Sequence, residues 1–247
     1  FYPILNSGFT NVYVEDGIDI NSLDFPYDFS KRNIIRIDSY KDIFNRSKQN
    51  IELQKLSQAL ILTENKGKFV YEGAKVCQSF GNSHFYYCST IMNCVFNCDY
   101  CFLGGMYPSG FITVYANLDK AFEEIEELLK IHSVYLCITY DSDLLAFENM
   151  LGYVRRFIEF TNSHDNLVIE VRSKFGNSMI LDKFEPSDRV IFAWTFSPDS
   201  IASVAEKKAS PLKARIEALK KAQELGFKTR VCIDPIIYSY DWENEYR

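Results

Sequence analysis

From about residue 85 onward, short β-branched and aromatic runs alternate with stretches of helical period. HFYYCST (84–90), VYLCITY (134–140), LVIEVRS (167–173), VIFAWTF (190–196) and TRVCIDPI (229–236) have the length and composition of buried strands. After the first of them, Leu118, Ala121, Phe122, Ile125, Leu128 and Leu129 recur at spacings of three and four, with Glu123, Glu124, Glu126 and Glu127 opposite, which predicts an amphipathic helix capped by Asn117. Further helices are expected through LAFENMLGYVRRFIEF (145–160), briefly in SMILDKF (178–184), and in PLKARIEALKKAQEL, with Ser210 as N-cap, Pro211 in the first turn and Gly226 just past the end. Five strands with four crossovers make a run of βα units, whose strands are parallel and whose connections are right-handed.

The first 80 residues are patterned differently. NVYVED (11–16) and NIIRID (33–38) are short strand candidates, and residues 38–63 carry helix-like spacing that turns apolar at its end. No internal repeat or low-complexity tract interrupts them. The expected organisation is an α/β extension over 1–80 packed on a βα unit over 81–247. Five parallel strands fit an open doubly wound sheet or an incomplete barrel, and periodicity does not separate the two. A further helix is expected to begin in DWENEYR at the end of the chain, so the βα unit is expected to lack its C-terminal part.

With 47% apolar and 24% charged residues, 247 residues bury a sizeable core and exclude a disordered chain. No apolar run reaches membrane-spanning length, and Phe1 to Phe9 has neither a basic start nor a long apolar stretch, so no membrane partner is expected. Seven cysteines are an odd number in a chain too large to need disulfide staples, which fits a reducing, cytoplasmic setting. A net charge of −6 disfavours indiscriminate binding to polyanions and leaves room for a local basic groove. Arg155, Arg156, Arg172 and Lys174 form one basic cluster and Lys207, Lys208, Lys213 and Arg215 another; for most of these, solvated faces and loops are the simpler expectation.

CVFNCDYC places Cys94, Cys98 and Cys101 in one loop just after the first strand of the βα run. Three thiolates at this spacing hold three corners of a cuboidal iron-sulfur cluster and leave one iron open for a small molecule. The loop sits where parallel sheets bind ligands, at the carboxyl ends of strands. A structural zinc, with Cys77 or Cys88 as fourth ligand, is the competing reading, but neither paired C-x2-C units nor an H-x3–5-H pair occurs, the histidines being His84, His132 and His164. Three unrelated core cysteines are the other alternative, and the interleaved Asn93, Asn97 and Asp99 speak against a packed interior.

The C-x3-C-x2-C motif with Tyr100 before its last cysteine resembles the radical S-adenosylmethionine superfamily. By that resemblance Cys94, Cys98 and Cys101 bind a [4Fe-4S] cluster, S-adenosylmethionine chelates the fourth iron, Tyr100 lies near the adenine, and a partial (β/α) barrel is implied. CDYCFL, YDSD (140–143), RSKF (172–175), SPLKARIEALKKAQELGF (210–227) and IDPIIYSYDWENEYR, with VYVED and KGKF in the lead-in, narrow it to the spore photoproduct lyase family. The resemblance then implies that Ser142 and Asp143 lie near the cofactor's amino acid moiety, that Lys174 reaches its carboxylate, and that Thr195 stands where the family has a serine.

It also implies repair of the thymine dimer called spore photoproduct in DNA, through a 5′-deoxyadenosyl radical and with a reductant such as flavodoxin or ferredoxin. The departures are local. Tyr140 occupies the position of the hydrogen-donating cysteine, and Phe102 that of a second tyrosine. Tyr140 itself or Cys77 is therefore the expected donor, with Cys77 preferred; Cys137 falls on the other face of its strand from Tyr140. A relative acting on a peptide, a small molecule or another nucleic-acid lesion is the alternative enzyme, and a zinc-stabilised binding module the non-enzymatic one.

Overall fold

The computed structural model describes residues 8–206 and 208–247, so the start of the chain and Lys207 of the second basic cluster lie outside the described residues. Among the described residues the strands form two sheets. The second sheet contains all five strands expected of the βα run: β5 (Phe85–Cys88), β8 (Val134–Cys137), β9 (Leu167–Ser173), β10 (Val190–Thr195) and β11 (Lys228–Cys232). Each pairs in parallel with the next. Every new strand joins on the same side, without the reversal of a doubly wound sheet, so the unit is an incomplete barrel. β4 (Val70–Glu72) closes its first edge in antiparallel pairing, and β11 forms the other edge.

The first sheet has the order β2-β1-β3-β7-β6. β1 (Asn11–Glu15), β2 (Asn33–Ile37) and β3 (Leu60–Thr63) come from the first 80 residues, and β6 (Ile91–Met92) and β7 (Ile112–Tyr115) from beyond them, so this sheet spans the boundary expected at residue 80. HFYYCST therefore ends as a strand at Cys88, and the chain crosses to the other sheet at Ile91. One apolar core runs through both sheets, joining Val12, Leu60 and Val114 to Leu136, Ile169 and Phe192. The apolar end of residues 38–63 is β3, buried at every position between β1 and β7, and only Lys41–Phe44 and Ile51–Leu56 are helical before it.

Three helix boundaries differ from the sequence expectation. Asn117 does not cap the helix Asp119–Leu129; its side chain accepts from the Asn65 N–H and donates to the Asn65 carbonyl, tying down the loop after β3. The helix expected over 145–160 breaks at Gly152, whose φ of 67° is left-handed. The Glu148 carboxylate then accepts from the N–H groups of Val154 (2.7 Å) and Arg155 (3.2 Å), capping Tyr153–Asn162. The last long helix starts at Leu212 after Pro211, and the Ser210 hydroxyl instead accepts from the Gly176 N–H at 2.6 Å.

Arg215, a member of a basic cluster expected to be mostly solvated, is fully buried. It donates through Nε to the Ser210 carbonyl, through Nη1 to the Thr195 carbonyl and through Nη2 to Glu206, which is 2% exposed. Removing one member of such a pair strands the other charge in the interior. Glu206→Ala is therefore expected to lower stability by about 3–5 kcal/mol and Glu206→Gln by clearly less, read from urea unfolding midpoints.

Burial raises the Glu148 carboxyl from 4.5 to about 7, against the two N–H groups that favour its ionised form. The protonated form is the stabilised one, so its contribution is complete below the unfolded value and fades as pH climbs through the folded value. Across that window wild-type stability is expected to fall with rising pH by up to about 3 kcal/mol from this group. Glu148→Gln should flatten that part of a stability profile measured between acid and neutral pH.

Candidate functional site

At the carboxyl ends of β8, β9 and β10 lies a cavity of about 160 Å³ that is partly open to solvent. Cys94, Cys98 and Cys101 all line it. The loop that carries them is bent by two asparagines in left-handed conformation, Asn93 (φ 71°) and Asn97 (φ 46°), each directly before a cysteine. Asparagine tolerates this region better than most side chains. The Asn93 amide also donates to the carbonyls of Ser109 and Phe111, both at 2.7 Å, and the Asp99 N–H donates to the Ala205 carbonyl at 2.9 Å. The loop is thus held from both sides.

The three thiols share the cavity without being set as a finished metal centre: among the described residues, no three His, Cys, Asp or Glu side chains form one. No histidine and none of the other four cysteines lines the cavity, so neither Cys77 nor Cys88 stands as a fourth ligand there. Burial pushes the Cys94 thiol far up, with Asp143 adding to the effect, and raises Cys98 to about 11 against the pull of Lys174. Thiols in such a place ionise when a bound cation compensates them.

Facing the thiols are Ser142, Asp143, Lys174 and Thr195. The Ser142 hydroxyl is buried and has no hydrogen-bond partner among the described residues, an unmet polar group on the cavity wall. Gln58, from the N-terminal extension, lines the same cavity and leaves its Oε1 equally unmet. Three soft donors without a fourth, beside orphaned polar atoms, fit a group held by three thiolates with one position left for a small polar ligand.

Asp143 does different work. Its carboxylate accepts from the Ser173 hydroxyl (2.8 Å), the Lys174 N–H (2.7 Å) and the Ala146 N–H (3.2 Å), so it fixes the turn after β9. Thr195 is the last residue of β10 and is buried. The Lys174 ammonium stands 3.9 Å from Glu206 and 5.5 Å from the centre of the Tyr100 ring. Tyr100 donates its hydroxyl to the same Glu206 carboxylate, and burial followed by that bond pushes its pKa far up. Glu206 and Arg215, which sequence reasoning missed, connect these residues; nothing in a run of lysines and arginines marks one of them as buried.

Tyr140 also lines the cavity. Its ring stacks on Tyr87 at 4.3 Å and lies 6.1 Å from Phe102. Cys77 acts electrostatically on the Tyr140 hydroxyl, so the two donor candidates are neighbours, with Cys77 outside the cavity lining. Burial, then Cys77, raises the Tyr140 pKa. Cys137 is buried and contacts the Thr139 hydroxyl at 3.9 Å.

Comparison with known proteins places this geometry in a family. Residues 75–247 match the sequence model described as spore photoproduct lyase. Curated spore photoproduct lyases from Clostridium acetobutylicum and a Geobacillus species are 23% and 24% identical over 163 and 166 residues, covering 63% and 62% of this chain. The aligned parts are 48% and 46% of those proteins, so the chain spans about half the length of the curated relatives it matches. Among solved structures, a spore photoproduct lyase complexed with dinucleoside spore photoproduct superposes with a TM-score of 0.78 at 18% identity, covering 96% of this chain and 71% of that one. A mutant with bound AdoMet and dinucleoside spore photoproduct gives 0.76 at 19% identity with the same coverage. Those structures share the fold, and the match over residues 75–247 carries the assignment: the chain belongs to the spore photoproduct lyase family.

Proposed function

We propose that this chain is a radical S-adenosylmethionine lyase that reverses spore photoproduct in DNA. The observation that carries the reading is the single cavity in which Cys94, Cys98 and Cys101 meet the unpartnered Ser142 hydroxyl, with Lys174 beside them. The three cysteines would hold the [4Fe-4S] cluster, with Tyr100, Ser142, Lys174 and Thr195 around S-adenosylmethionine. When bound, the pair supplies a carbon-centred radical on one-electron reduction. Lys174 offers a cation to a carboxylate, Ser142 a hydroxyl to a polar group, and Asp143 holds Lys174 in place from behind. Seven free cysteines support a reducing compartment, the cytoplasm, where flavodoxin or ferredoxin would be the reductant.

The reading is tested by anaerobic reconstitution. Roughly four irons with matching sulfide per chain are expected, and binding should fail when Cys94, Cys98 or Cys101 is replaced by Ala. Tightly bound zinc would overturn it in favour of a binding module. With dithionite, S-adenosylmethionine and a synthetic spore-photoproduct dinucleotide, the repaired dinucleotide with two separate thymines should form, which is the thymine release scored below. 5′-Deoxyadenosine without thymine would favour the second reading, a different substrate, which the changes at Tyr140 and Phe102 support.

The hydrogen donor is the Tyr140–Cys77 pair. Tyr140 lines the cavity and Cys77, its neighbour, does not, which supports Tyr140 as the group facing substrate and Cys77 as the one behind. The donor's O–H or S–H bond breaks homolytically, its hydrogen atom quenches the product radical, and the donor keeps the unpaired electron. Tyr140→Phe is expected to cut thymine release at least about tenfold with 5′-deoxyadenosine still formed, a loss on the scale of removing a proton-transfer group. Cys77→Ala should cost less; the opposite ranking would make Cys77 the direct donor.

A further inference from the structure

Glu170 and Arg172 stand two apart on β9 and share one face of the strand. Glu170 is 1% exposed. Its carboxylate accepts from Arg172 through Nε (3.0 Å) and Nη2 (2.8 Å), and from Arg230 and the Tyr135 hydroxyl on the other oxygen. One buried carboxylate thus meets two guanidinium groups. Arg230 is committed further, lying 3.4 Å over the Phe80 ring. Arg172 is held by one edge only. Among the described residues its third nitrogen, Nη1, has just Asp234 at 3.8 Å, and that carboxylate is 72% exposed and so a weak, screened partner.

The Arg172 side chain keeps a third of its surface open, 33%, and Arg172 forms part of the cavity wall. A guanidinium locked along one edge and open along the other is a pre-organised receptor for an oxyanion. In the proposed function, on which this inference rests, Lys174 takes the carboxylate of S-adenosylmethionine, and the remaining anion is on the substrate. A lesion between adjacent nucleotides carries one charge between its halves. We propose that Arg172, anchored by Glu170, receives the phosphodiester that joins the two nucleosides of the lesion. The chain as a whole is acidic, at −6, so the backbone would be held by a placed cation instead of by overall charge.

The test is equilibrium binding to the full-length reconstituted protein with S-adenosylmethionine, by calorimetry, of three probes: the spore-photoproduct dinucleotide, its uncharged methylphosphonate analogue and the dinucleoside without phosphate. The phosphodiester form should bind roughly tenfold to a hundredfold more tightly than the other two. Arg172→Gln should abolish that preference without weakening S-adenosylmethionine, and Arg172→Lys should restore it only partly. Equal wild-type affinity for the three probes overturns the proposal and requires no variant to fold. Loss of S-adenosylmethionine affinity in Arg172→Gln overturns it as well, by moving the receptor to the cofactor. A phosphate preference without thymine release would leave Arg172 standing and sink the repair reading, and no binding of any probe would sink both.

Discussion

One wall of the cavity is held from behind by a buried carboxylate. Glu206 accepts from Tyr100 in the cysteine loop, from Ser197 after β10 at 2.9 Å and from Arg215 in the last long helix, and it faces Lys174 after β9. Four segments distant in sequence are thereby set against each other at one point. Burying an ion pair costs desolvation that well-packed apolar groups would not incur, so the arrangement is a poor way to gain stability. What it supplies is direction. An apolar cluster would pack the same elements while leaving the Tyr100 ring and the Lys174 ammonium free to turn.

The same carboxylate explains how an irregular loop keeps its shape. Asn93 and Asn97 bend it, the Asn93 amide ties it to Ser109 and Phe111, and the Asp99–Ala205 bond fastens it beside Glu206. The N-terminal extension completes the wall: Gln58 lines the cavity and donates to the Gly110 carbonyl at 3.0 Å. Gly110 also lets the Ile51–Leu56 helix pack close, since a Cβ there would come within 2.9 Å of the Ile51 carbonyl oxygen.

The barrel strands were legible because parallel strands buried on both faces read as unbroken apolar runs, as in β8. The cysteine loop was legible because its chemistry depends on short-range spacing alone. Other features depend on tertiary neighbours and leave no such mark. Arg215 looks like its basic companions until Glu206 is opposite it, and Asn117 and Ser210 look like caps until Asn65 and Gly176 take their side chains. Glu148 reads as an ordinary helix residue until Gly152 breaks the helix and exposes two N–H groups to it. The pairing of Cys77 with Tyr140 joins segments on opposite sides of the cysteine motif, which spacing along the chain does not encode.

A phenol beside a thiol is a workable donor only if both hydrogens are present when needed. Burial raises Tyr140, so the O–H stays on the ring at neutral pH. The ring is also fixed, stacked on Tyr87, which itself stacks on Tyr71 at 5.3 Å. Phe102 fills the next place without a hydroxyl of its own, 6.1 Å away. Side by side, these aromatics leave Tyr140 as the one phenol in the cavity lining apart from Tyr100, whose hydroxyl is committed to Glu206. The two departures from the family pattern, Phe102 and Tyr140, therefore meet at one place in the cavity, where both rings line the wall and Tyr140 alone of the two keeps a hydroxyl.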